Sequence, residues 1–583
     1  MTSSYEKYPS VAVKGWDGTA VKGYGPIMET LRRKYEESKR TDYRIAFDTY
    51  PGVCDEEVME AIKGLKPDTV LSMENAFLPE EVLERQLKHN LTDDRVFGRM
   101  YYGEIEDLMD AEALEKIKAE AEEAKGLTVI YGFGAGLAAD ADMLVYLDMA
   151  RWEIQLRFRG GMPNYHCTNR DEDPLRKYKR AFFVEWRIAD KYKMRIFDRV
   201  DYFLDTNKKG MPVMAPGKGV REGLLQLTGR PFRTVPYFDP GVWGGQWMKD
   251  VCGLERDAAN YAWSFDGVPE ENSLLLDFGN GSLEIPAMDL VLYQPKGLLG
   301  EGVFARFGAE FPIRFDFLDT MGGQNLSLQV HPLTEYIHRQ FGMAYTQDES
   351  YYILDAREDA CVYLGLTDEA EPEAMFRDLE RANRGEGDFD AERYVNRFPA
   401  KKHDHFLIPA GTCHCSGANA MVLEISATPY IFTFKLWDWN RVGLDGRPRP
   451  VHLDHGRQVI QWDRRTEWVK KNLVNAVFTV EEQEGCKEEH TGLHRLEFIE
   501  TRRYWIKTEA LIRPGKAVNM LNLVEGREAV VESPSGAFEP FTVHYAETFI
   551  VPAGAGEYRI RPVYEETIGV VRAYVRPETE ETQ

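Results

Sequence analysis

"LSLQVHP" (326–332) is the stretch on which the reading of the second half of the chain turns. Leu326, Leu328 and Val330 alternate with Ser327, Gln329 and His331, and Pro332 then ends the run. Successive side chains on a strand point to opposite faces, so the three polar groups share one face and the aliphatic ones the other. Proline has no N–H to give to a ladder and closes the strand. A strand face that carries an amide and an imidazole together invites a search for other polar groups converging on it.

The same texture runs from about residue 226 onward: short aromatic-rich strands separated by Gly and Pro turns, as in "PFRTVPYF", "IRFDFLD", "YYILDA", "CVYLGL", "HFLIPAG" and "MVLEIS". Such spacing predicts antiparallel strands in a sandwich or barrel. After Thr367, "DEAEPEAMFRDLERANRG" sets Met375, Phe376, Leu379 and Ala382 on one face, with Gly385 near its stop, and predicts a helical insertion over 367–400. "EEQEGCKEEHTG" (481–492) reads as a link to a last β unit, whose "FIVPAG" echoes "FLIPAG" (406–411) without a histidine after its glycine.

The first 225 residues alternate instead. "YRIAFDTY", "DTVLSM", "LTVIYGFG" and "DMLVYLD" are β-branched apolar runs, and helical periods such as "EEVMEAIKGL" and "AEALEKIKAEAEEA" lie among them. That pattern predicts a parallel sheet covered by helices. The expected organisation is multidomain: an α/β domain over 1–225, a metal-binding β domain over 226–480 with its helical insertion, and a second β domain over 481–583.

Composition sets outer bounds. A chain of 583 residues exceeds one core, and roughly 150 residues per domain gives about three or four units. The formal net charge of -24 disfavours nucleic acid and anionic membrane, which need basic patches. The N-terminus has no apolar signal segment, and no run approaches the roughly 20 apolar residues of a membrane span. Seven cysteines, an odd number, do not form an evident disulfide framework. A cytoplasmic address is expected on these grounds.

Two further residues join Gln329 and His331. Glu349 lies in "QDESYYIL" and His414 in "HDHFLIPAGTCHCSG", where Pro409 and Gly411 build a tight turn ahead of the histidine. Gln329, His331, Glu349 and His414 offer two imidazole nitrogens and two oxygens, a set that suits zinc and tolerates other divalent metals. Cys413 and Cys415 flank His414, point to the other face of the strand and read as packed thiols. His403 and His405 read as rim groups, and His338 as lying on a helix or loop near the mouth.

"FPIRFDFLDTMGGQNLSLQVHP", "ESYYILDA", "HFLIPAGTCHCSG", "MVLEIS" and "FKLWDWNRVGLDGRPRPVHL" occur in the order seen in class I mannose-6-phosphate isomerases, and "YFDPGVWGGQWMKDVCGL" (237–254) resembles that family's opening segment. The resemblance covers roughly 226–583 and implies two cupin (jelly-roll) units, a single zinc held by Gln329, His331, Glu349 and His414, and Ser327 beside the sugar phosphate. The activity it implies is aldose–ketose isomerisation through a cis-enediol. Glu424 stands where the family has an acidic residue near the site, so either Glu424 or Lys435 is the expected proton acceptor, or Glu424 pairs with a neighbouring base and only shapes the pocket.

The chain departs from the family at the groups that read the sugar. Lys435 in "FKLWDW" replaces an arginine, which keeps the charge but loses the planar fork. Gln347 replaces a lysine two residues before the metal-binding glutamate. "SATPYIF" replaces the family's polar run after the preceding strand.

The N-terminal half resembles P-loop kinases of the uridine-kinase type more weakly, through "LVYLDMARWEIQLRFRGG" and the basic helix "RKYKRAFFVEWRIADKYK". The phosphate loop G-x-x-x-x-G-K-[ST] is missing; "FDTYPGVCDEEVMEAI" stands in its place. Arg151, Arg157 and Arg159 are read either as a structural face or as a site for a nucleotide or other anion. Three functional classes follow: a metal-dependent sugar isomerase, a metal- and sugar-binding sensor without turnover, and a bifunctional protein with a divergent kinase half.

Overall fold

The computed structural model describes residues 4–427, 430, 432–443, 446 and 449–577. The chain forms two compact units: Ser10–Gln226 with Ser273–Gln294, and Met1–Pro9 with Leu227–Asn272 and Pro295–Gln583. Among the described residues no helix is long and apolar enough to cross a membrane.

The first unit is built on a seven-stranded sheet. Its parallel strands Tyr43–Thr49, Thr69–Ser72, Leu127–Gly132, Met143–Asp148 and Tyr202–Asp205 stand in the spatial order second, third, first, fourth, fifth. Val213–Pro216 and Val21–Lys22 extend one edge in antiparallel fashion. Leu127–Gly132 and Met143–Asp148 are buried along their whole length, as continuous apolar runs in a helix-covered parallel sheet must be. The hairpin Ser273–Asp277/Ser282–Pro286 belongs here because Ser10–Ala12 pairs with it in parallel.

The loop after the first parallel strand leads into helix Asp55–Ile62, whose first turn carries Asp55, Glu56 and Glu57. Three carboxylates there oppose an anion at the positive end of a helix. Two of the arginines weighed as anion ligands are engaged inside the fold. Arg151 pairs with buried Asp190, and Arg157 donates to the carbonyls of Gly52, Thr206 and Asn207. Arg159 lies 5.0 Å from the Trp152 ring.

A buried cation closes this unit. Lys193 Nζ lies 2.9 Å from Asp148 and 2.6 Å from Asp289, all three at most 1% exposed. Removing one partner of such a set strands the others without solvent. Lys193→Met is therefore expected to destabilise the unit by about 3–5 kcal/mol, measured as a lowered midpoint in denaturant unfolding. An unchanged midpoint would show that the carboxylates find another partner.

The second unit contains two β barrels. The first uses eleven strands, numbered here in chain order: β1 Tyr237–Asp239, β2 Trp263–Gly267, β3 Arg314–Asp319, β4 Leu328–Val330, β5 Glu349–Ala356, β6 Cys361–Leu366, β7 Val395–Pro399, β8 His405–Ile408, β9 His414–Ser416, β10 Ala420–Ser426 and β11 Phe434–Trp437. They make a six-stranded sheet in the order β8-β5-β10-β3-β2-β1 and a five-stranded sheet in the order β7-β6-β9-β4-β11. All pairings are antiparallel. Helices Pro372–Asn383 and Ala391–Tyr394 interrupt the barrel, and Met375, Phe376, Leu379 and Ala382 of the first are buried.

The second barrel occupies Phe478 to Val575 as a six-stranded and a four-stranded sheet. Its interior is filled by Leu521, Leu523, Val531, Phe549, Val551 and Ile560. Beside them Asn519 Oδ1 accepts from Tyr558 Oη and Arg572 Nε, a buried polar set satisfied within the barrel.

Candidate metal centre

Strand register brings the site together. On β4, Gln329 stands opposite His414 of β9 on one side and Lys435 of β11 on the other. Directly paired residues project to the same face, so all three share the inward face with His331, two positions along. Glu349 arrives from β5 of the other sheet. The turn before His414 is fixed by Gly411, whose φ of +88° favours glycine and whose Cβ would stand 2.6 Å from Gln461 Cγ. Its N–H donates to His331 O at 2.9 Å, and Arg464 braces the same turn through Pro409 O, Ala410 O and Thr412 Oγ1.

His331, Glu349 and His414 are fully buried, and one ligand atom from each lies within 4.8 Å of the others. Glu349 bridges the rings, 3.0 Å from His331 Nε2 and 2.8 Å from His414 Nε2. Each ring's other nitrogen faces a backbone carbonyl: His331 Nδ1 lies 2.8 Å from Phe432 O and His414 Nδ1 2.8 Å from Thr412 O. A carbonyl only accepts, so both Nδ1 atoms carry a proton, and both Nε2 atoms turn toward the carboxylate. Two imidazole nitrogens and a carboxylate converging in a dry pocket are held together by positive charge, carried by protons on the rings or by a bound metal ion. Burial works to raise the Glu349 carboxyl, but positive charge on the His331 and His414 rings and their bonds to it outweigh burial and hold it well below the usual carboxylate range.

The donor set fits a divalent ion of the zinc type. Gln329 supplies an amide 3.2 Å from His414 Nε2, where its oxygen would complete the set. The backbone carbonyls behind both rings are the outer partners that orient metal-binding histidines. A third such partner is Gln347, on the carboxylate. Its amide donates to Glu349 Oε2 at 2.8 Å and its oxygen accepts from Phe432 N at 2.8 Å. Expected beside the substrate, Gln347 is held at both ends within the protein and positions Glu349. Gln347→Ala is expected to weaken metal affinity about 10- to 100-fold, read by competition with a chromogenic chelator. Unchanged affinity would mean that Glu349 needs no brace.

Glu424 of β10 stands opposite Asp316 of β3 and Tyr351 of β5, on the same inward face. Burial, then the nearby Glu349 and Asp316 carboxylates, push its carboxyl well above the usual range. Ser327 precedes Gln329 by two residues, about 7 Å along the strand. Its hydroxyl donates to Asp438 Oδ1 at 2.6 Å and accepts from Arg449 Nη1 at 3.2 Å. Arg441 also donates to Asp438, at 2.7 Å. Two guanidiniums against one carboxylate leave one net positive charge beside Ser327.

No local pattern in "FKLWDWNRVGLDGRPRPVHL" marks Asp438, Arg441 and Arg449 as site residues, although it contains all three. The two arginines follow β11, and they come to the Ser327–Asp438 pair only through tertiary contacts. The "SATPYIF" segment includes 428, 429 and 431, outside the described residues. His405 is not a rim group: it is fully buried, and its Nε2 lies 2.8 Å from Ser350 Oγ. His403 bonds Tyr352 and Glu525, and Cys413 and Cys415 are buried. His338 lies on helix Thr334–Phe341.

Residues 23–229 match a family model described as a domain of unknown function, DUF8485. Over its C-terminal part the chain is 24% identical to the mannose-6-phosphate isomerase ManA of Bacillus subtilis across 341 residues, 57% of this chain and 96% of that protein. A mannose-6-phosphate isomerase of Streptococcus mutans is 26% identical over 221 residues, 38% of this chain and 64% of that one. The crystal structure of the Bacillus subtilis mannose 6-phosphate isomerase covers 59% of this chain and 99% of its own at 19% identity, with a TM-score of 0.47. The sequence similarity to these isomerases thus falls on the part of the chain that holds the His331, Glu349 and His414 cluster.

Proposed function

We propose that the chain is a metal-dependent aldose–ketose isomerase acting on a sugar phosphate of the mannose 6-phosphate type. The observation that carries this reading is the convergence of the His331 and His414 Nε2 atoms on the buried Glu349 carboxylate, each ring fixed from behind by a backbone carbonyl. The curated relative ManA, a mannose-6-phosphate isomerase by name, aligns over 96% of its length, which supports the same reaction class.

Gln329, His331, Glu349 and His414 would hold the ion. When bound, a divalent metal polarises a carbonyl and is worth several kcal/mol of the barrier. The protein's own groups do the rest. Ser327, Arg441 and Arg449 present the net positive charge that suits a phosphate. Lys435, opposite Gln329, offers a point charge to the sugar's oxygens. Glu424 accepts the C2 proton and returns it to C1, while the hydroxyl proton passes from O2 to O1 through the enediol. A buried carboxyl with a raised affinity for protons suits that exchange.

The test is interconversion of mannose 6-phosphate and fructose 6-phosphate by the metal-loaded full chain, with the unphosphorylated sugars alongside. Turnover on the phosphorylated pair, exceeding that on mannose and fructose, is expected. Binding without turnover on any of the four would replace the isomerase by a sensor.

A further inference from the structure

The inward face of the six-stranded sheet carries charge that the metal centre does not use. Register sets Arg314 of β3, Ser426 of β10 and Glu349 of β5 side by side in one row, and Asp316, Glu424 and Tyr351 in the next. Arg314 and Asp316 are 3% and 4% exposed. Arg314 Nη2 donates to Asp316 Oδ2 at 2.6 Å. Among the described residues, Arg314 Nε and Nη1 and Asp316 Oδ1 are buried with no hydrogen-bond partner. The guanidinium also lies 5.8 Å from the Phe265 ring.

Such an arrangement is costly if it is only structural. An ion pair that merely fills a barrel is as a rule satisfied on every side, because each buried donor left open forfeits its hydration. Here two donors on one guanidinium and one acceptor on its partner stay open together. Arg314 lies in the row that ends at Glu349, and Asp316 in the row beside it. Adjacent strands are about 4.8 Å apart, which puts Arg314 about 10 Å from Glu349, two strands across.

The charges around Arg314 indicate what would fill the gap. Asp316, Glu424, Glu271 and Glu349 all act on this region, and Arg314 is the cation among them. A phosphate or carboxylate brought here would meet several carboxylates for one guanidinium. Hydroxyl groups meet no such penalty, since each both donates and accepts. They would take the open N–H groups of Arg314 and give to the open oxygen of Asp316.

We infer that Arg314 and Asp316 form a hydroxyl-recognition subsite that takes the sugar backbone of the substrate, while the charged end stays beside Ser327. The inference rests on the sugar reading above and adds to it a specificity-determining pair that acts on the neutral part of the ligand. Loss of bonds to a charged donor of this kind corresponds to about 10- to 100-fold in affinity.

Calorimetric titration of the metal-loaded full chain tests it, with mannitol and mannose 6-phosphate as probes. The native protein is compared with Arg314→Leu and with the double variant Arg314→Leu/Asp316→Leu, which leaves no stranded carboxylate if the single variant folds poorly. Both variants are expected to keep their metal and to lose about 10- to 100-fold in affinity for both probes. Native affinity in the double variant would overturn the inference by showing a merely structural pair. A loss confined to mannose 6-phosphate would overturn it in another way, by making Arg314 a phosphate ligand. A native protein that binds neither probe removes the sugar reading itself, and the inference with it, before any variant is compared.

Discussion

His414→Ala is expected to yield a folded protein that has lost its metal and, with it, all measurable isomerisation. On the proposed reading the imidazole is one of two nitrogen ligands, and its removal leaves His331, 3.0 Å away, as the single ring of the pair facing Glu349. Outer partners of metal ligands command about 10- to 100-fold in affinity, so loss of a direct ligand exceeds that range. His414 lies beside Gly411 in a turn held by Arg464, and those bonds do not involve the imidazole. The barrel is therefore expected to survive. Metal per chain from elemental mass spectrometry, alongside the unfolding transition, checks both halves of the statement. Full metal occupancy in this variant would mean that the ion sits elsewhere.

Glu424→Gln is expected to separate chemistry from binding. The substitution keeps shape and removes the one atom set that exchanges a proton, so turnover should fall by about 10²- to 10⁴-fold with metal content unchanged. Stability should not suffer. Burial and the carboxylates of Glu349 and Asp316 disfavour a charge at this position, and an amide brings none. A variant with near-native turnover would move the proton transfer to Lys435. The pH dependence carries the same signature: a carboxyl raised above the usual range is protonated, and idle as a base, until pH climbs through its own value. Turnover limited by Glu424 should rise with pH at the lower end, and that limb should be absent from the residual rate of Glu424→Gln.

Part of this arrangement is written locally. The alternation around Gln329 and His331, the Pro409–Gly411 turn before His414 and the single face of Met375, Phe376, Leu379 and Ala382 are short-range patterns, and period alone assigns them. Glu349 joins the set as a carboxylate on a strand of the same barrel, and the resemblance then implies a common role for the four residues. Other features depend on contacts that no local pattern announces. Arg314 and Asp316 sit in "IRFDFLD", where alternation tells two faces apart but not which one closes inward. Arg449 reaches Ser327, and Arg441 the Asp438 carboxylate that Ser327 shares, through contacts made only after the chain leaves β11. Gln347 looks like a lost cation in the sequence, and only its two hydrogen bonds show it bracing Glu349. The hairpin Ser273–Asp277/Ser282–Pro286 pairs with Ser10–Ala12 across more than two hundred and fifty residues, a register that burial alone sets.

The most direct measurement of the central claim is deuterium uptake at C2 of fructose 6-phosphate and mannose 6-phosphate in heavy water, using the full chain stripped by a chelator and then reloaded with zinc. The account predicts no exchange in the stripped protein, exchange restored at one metal per chain, and none in His414→Ala at any zinc concentration that leaves it folded. Exchange that persists without metal, or that His414→Ala retains, would contradict it.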